Sequence, residues 1–108
     1  MKPSIGRIVH YTLTEQDADQ INRRRKDANA HMREHTDAAT GVHVHVGNGV
    51  QAGDVYPLVI TRVWASAEQV TEHTAVNGQV LLDGNDTLWV TSVSQGTDQR
   101  QWFAPPRV

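Results

Sequence analysis

The chain has 108 residues, of which 38% are apolar and 20% charged, and a formal charge of −2. That length suits one domain spanning residues 1–108 and excludes two. With no cysteine at all, disulfide frameworks, thiolate nucleophiles and cysteine-ligated zinc are excluded as well.

The opening Met1-Lys2-Pro3-Ser4-Ile5-Gly6-Arg7 lacks the apolar core of a secretion signal. No run reaches the roughly 18 apolar residues of a membrane span. A soluble chain made in a reducing cytoplasm, without membrane contact, is the expectation. The charges are uneven: residues 1–33 carry a net +3, residues 34–98 a net −7 and the last ten residues a net +2. A basic N-terminal third facing an acidic remainder can steer a charged partner, or it can neutralise itself within the domain.

Ile5 to Thr12 alternate with period two and read as a strand, with Val9 and Tyr11 on one face. Thr14 followed by Asp17 is a capping pattern, and Glu15, Asp17 and Asp19 suit the positive end of a helix dipole. The helix is predicted over about 14–37, with Gly41 as a late stop. Its apolar stripe is thin (Ala18, Ile21, Ala28, Met32, with Arg25 interrupting), so it packs by one narrow seam.

Val42, Val44 and Val46 then alternate with His43 and His45 as a short ribbon between turn residues. Val55 to Trp64 is the strongest strand, with Tyr56, Leu58, Ile60 and Trp64 sharing one face, and Pro57 placing its start at an edge or bulge. Residues 65–76 read as a loop, or as one helical turn opened by Ser66. Gly78–Leu82 and Thr87–Val93 form a hairpin through Asp83-Gly84-Asn85-Asp86, and Gln101–Ala104 is a short last strand.

Five short strands with a helical insertion after the first predict a mainly β domain: a small, closed, SH3-like barrel. An OB-like barrel or an α+β roll are the alternatives.

Three stretches carry a resemblance: Pro3-Ser4-Ile5-Gly6-Arg7-Ile8-Val9-His10-Tyr11 at the start, Gly53-Asp54-Val55-Tyr56-Pro57 in the middle, and Trp102-Phe103-Ala104-Pro105-Pro106-Arg107-Val108 at the end. Together they resemble a family of small proteins of actinobacteriophages and their actinobacterial hosts. Its members often end in Trp-His-Trp-Pro, from which Phe103 and Ala104 depart. The resemblance implies a phage or prophage origin and an SH3-like barrel, and carries over no catalytic residue.

His31 and His35 lie one helical turn apart, and His43 and His45 share a strand side, so each pair could converge on an ion. His31-Met32-Arg33-Glu34-His35 even matches the inverted zincin pattern, although such enzymes need a third ligand and a cleft from a larger scaffold. Solvated histidines are the expectation, with no metal site, no cofactor and no catalytic residue. Arg23-Arg24-Arg25-Lys26 winds around the helix as a collar that could meet nucleic-acid phosphates or simply be solvated. Trp64, Trp89, Trp102 and Tyr56 fall on separate predicted strands and could form an interaction surface or fill the core.

From these signals the expected function is a non-enzymatic phage accessory or virion-associated protein, in the host cytoplasm or the virion. It would bind a protein partner or itself through those aromatics, Ile21 and the collar. A nucleic-acid-binding module using the basic helix is the alternative. A metal-dependent hydrolase on the four histidines is a distant third.

Overall fold

The computed structural model describes residues 1–35 and 47–106, with the backbone alone over 29–35. In chain order the elements are β1 (Ile8–Thr12), α1 (Glu15–His35), β2 (Val55–Val63), β3 (Val76–Leu81), β4 (Thr87–Gln95) and β5 (Gln101–Phe103). The strands close a barrel in the order β1-β2-β3-β4-β5, as expected of a mainly β domain with one helix after its first strand. Every neighbouring pair is antiparallel except β4 with β5, which run parallel.

β1 begins three residues later than the alternation predicts. Arg7 donates its N–H to the Ser4 carbonyl at 3.2 Å, and Gly6 takes φ +86°, a left-handed conformation that glycine reaches without strain. The turn stays attached to the sheet because the Gly6 N–H donates to the Ile60 carbonyl at 2.7 Å. β3 starts at Val76 and β4 runs to Gln95, so the hairpin is longer at both outer ends than predicted. Ser66 opens a single turn, its carbonyl accepting from the N–H groups of Gln69 and Val70, each at 3.0 Å.

Pro57 sits where pairing with β3 stops, while pairing with β1 continues through it. Its neighbour Leu58 is the first β2 residue to pair with β3, opposite Val80, and Pro57 offers no N–H to extend that ladder toward Leu81.

The helix starts through the predicted cap in reciprocal form. The Asp17 N–H donates to Thr14 Oγ1, and the Thr14 N–H donates to Asp17 Oδ2, both at 3.0 Å. Val9, Tyr11, Leu13, Leu58, Ile60, Val76, Val80, Val93 and Trp102 form the core, and Ala18 and Ile21 of α1 join it. Ile21 is fully buried in this chain's own barrel, so its seam is intramolecular and is no free interaction surface. Trp102 is equally buried and belongs to the core, not to an interaction face. The helix covers the barrel with its first turns, through Ala18 and Ile21.

Candidate functional site

One row of side chains crosses the outside of four strands. Ile8 lies opposite Val59, Val59 opposite Gln79, and Gln79 opposite Trp89. The flanking Leu88 and Val90 point into the core, so strand alternation turns Trp89 outward, where it is 63% exposed. Ile8, Leu81 and Val55 are exposed on the same barrel surface. Beside the row, His10 meets Phe103 edge to face, with ring centroids 5.3 Å apart.

Trp64 joins this outer face against the prediction that placed it with Leu58 and Ile60. The register shifts between Ile60 and Arg62, so β2 carries one extra residue there. Alternation restarts after the bulge, and Trp64 emerges 49% exposed. A second bulge lies across β3, where the register shifts between Val76 and Gly78 and Ser92 of β4 takes φ +53°.

Asn77 stands between the two irregularities and ties them together. Its Oδ1 accepts from Trp64 Nε1 and from the Ser92 N–H, both at 2.9 Å. The Arg62 guanidinium lies 3.9 Å from the centre of the Trp64 ring, a cation–π contact that fixes the indole from a second direction. An exposed indole held by a hydrogen bond and a stacked cation has lost much of its rotamer freedom before any partner arrives. Sequence reasoning missed Arg62, Asn77 and Ile8. The signal available was Asn77-Gly78 inside a strand, a pair disfavoured there unless a bulge or a close backbone approach requires it.

Tyr56, the remaining candidate aromatic, is half-buried and packs against the core. Burial, and then the nearby Asp54, push its hydroxyl up from the usual tyrosine value.

The basic collar divides. Arg25 is buried, with its side chain 6% exposed, and its Nη2 lies 3.1 Å from Asp86 Oδ1. Arg24 pairs with the other oxygen of the same carboxylate at 3.2 Å. These two cations hold the helix to the β3–β4 turn, so neither is a free phosphate contact. Arg23 and Lys26 are exposed.

His43 and His45 lie outside the described residues, as do the ribbon of Val42, Val44 and Val46 and the side chains of His31 and His35. Among the described residues, no three His, Cys, Asp or Glu side chains come together as metal ligands. No helix among them is long and apolar enough to cross a membrane.

Comparison of the chain with protein-family models, with curated proteins and with solved structures returned no match.

Proposed function

We propose that this chain is a non-enzymatic protein-interaction module of phage or prophage origin, with an SH3-like barrel, acting in the host cytoplasm or the virion. Its docking surface is the outer face carrying Trp64 and Trp89. The observation behind this reading is Trp64: an apolar ring kept at the surface by a bulge, by Asn77 and by Arg62. Exposed large aromatics forgo the burial that stabilises a small barrel, and at binding surfaces they supply rigid contact area. The phage origin rests on the residues at both ends and in β2 that resemble the actinobacteriophage family. Nucleic-acid binding is the weaker reading, because Asp86 already engages Arg24 and Arg25.

The test compares the intact chain with the double variant Trp64→Ala, Trp89→Ala, each immobilised and exposed to lysate of the phage-bearing host. A protein retained by the wild type and lost by the variant, with equal melting temperatures, is the expected result. Duplex DNA bound more tightly than the roughly 10⁻⁴–10⁻⁶ M of bare phosphate contacts at physiological salt would reverse the ranking.

A further inference from the structure

β4 has a strand beside it along one side, but on the other only at its end. β5 joins it at Ser94↔Gln101 and Gln95↔Trp102, and among the described residues no strand neighbours Thr87 to Thr91 on that side. Hydrogen bonds across the sheet show which backbone groups face that open side. Ile60 donates to the Arg7 carbonyl at 3.0 Å and accepts from the Gly6 N–H at 2.7 Å, so its groups point toward β1. In an antiparallel ladder, opposed residues point at each other or away from each other. Gly78, opposite Ile60, therefore turns toward β4, and Val90, opposite Gly78, turns toward β3. Thr87, Trp89 and Thr91, one step out of phase, direct their N–H and C=O groups to the open side.

Two surface contacts agree with this. Arg24 Nη2 donates to the Thr87 carbonyl at 3.1 Å, and Arg100 Nη2 donates to the Thr91 carbonyl at 3.3 Å. Between them lies Trp89, whose side chain is exposed on the adjoining face. The segment contains no lysine, proline or glycine to discourage strand addition.

We propose that two copies of this chain associate by antiparallel pairing of these β4 edges about Trp89. What identifies the occupant is the segment itself. Thr87-Leu88-Trp89-Val90-Thr91 reads alike in both directions by residue type: threonine, aliphatic, tryptophan, aliphatic, threonine. About a two-fold axis through Trp89, each Thr87 meets Thr91 of the second copy and the two indoles stand directly opposite on the outer face. Threonine pairs and aromatic pairs both favour such cross-strand positions. The backbone groups of all three residues find partners. Both arginines release these carbonyls to the incoming strand, Arg100 giving up one exposed hydrogen bond and Arg24 keeping its ion pair with Asp86. The pairing shares Trp89 with the docking face but needs no second protein, so sedimentation of the purified chain reads it separately from capture of a partner.

Sedimentation of the full chain over a range of concentrations tests it, with Thr91→Pro and Trp89→Lys as variants. Thr91→Pro removes an N–H that no β3 bond uses, and Trp89→Lys sets like charges opposite each other across the axis at an exposed position. The expected result is a wild-type mass of twice 12.0 kDa and single-chain mass for both variants, with unchanged circular dichroism. A wild type that stays monomeric overturns the proposal, whatever it captures from lysate. So does a dimer that survives Trp89→Lys, which keeps the comparison decisive if Thr91→Pro does not fold.

Discussion

Tyr11 and Asp17 join the first strand to the helix at a single buried contact. The Tyr11 hydroxyl donates to Asp17 Oδ2 at 2.6 Å, the same oxygen that accepts the Thr14 N–H at 3.0 Å. Burial first, and then the hydrogen bond to Asp17, hold the hydroxyl far above the ordinary tyrosine range. A group whose folded pKa is raised contributes stability in full below its unfolded value and loses it as the pH climbs beyond. The melting temperature should therefore fall as the pH passes about 10, the unfolded tyrosine value. Tyr11→Phe should flatten most of that decline while costing stability at neutral pH, because Asp17 loses a donor. Tyr56, also shifted upward, accounts for the residual slope. Melting curves of the two proteins across the alkaline range check this, and equal slopes would rule it out.

At the level of elements, Ile21 is foremost among the described side chains that tie the helix to the barrel. It is fully buried, so Ile21→Asp places an unpaired carboxylate in the core and should cost several kcal/mol, about 3–5. Thermal unfolding should show a collapse of stability; a folded variant with an unchanged melting temperature would contradict the packing. Ile21 was legible from the sequence, as were the cap at Thr14 and Asp17 and the turn at Asp83–Asp86, because each is specified by nearest neighbours in the chain. The outer face was only half legible. Strand parity placed Trp89 opposite in sense to Leu88 and Val90 without choosing the outward side. Trp64 was misplaced because an extra residue near Thr61 reverses parity, and no glycine marks it in β2. Trp102 sits in a strand of three residues, too short for a period to reveal its inward face. The burial of Arg25 depends on Asp86, a partner 61 positions away, and long-range ion pairs leave no local pattern.

Across the whole molecule, closure of the barrel rests on very little. β1 and β5 share only the pairs His10↔Phe103 and Tyr11↔Trp102. Pro105, next in line to face Ile8, has no N–H with which to lengthen that ladder. β2, β3 and β4, by contrast, follow one another directly and share long registers. This unequal stitching sets an order of events in folding. The three-stranded meander closes short loops, whereas β1 must find β2 across the helix and β5 across nearly the whole chain, each at a greater entropic cost. Its contacts should be present in the transition state and those of β1 with β5 should come after it. Val80→Ala should thus act mainly by slowing refolding, and Trp102→Phe mainly by hastening unfolding, as the two arms of a stopped-flow chevron would resolve. The barrel shuts last where β1 meets β5, and under stress that seam is where it opens first.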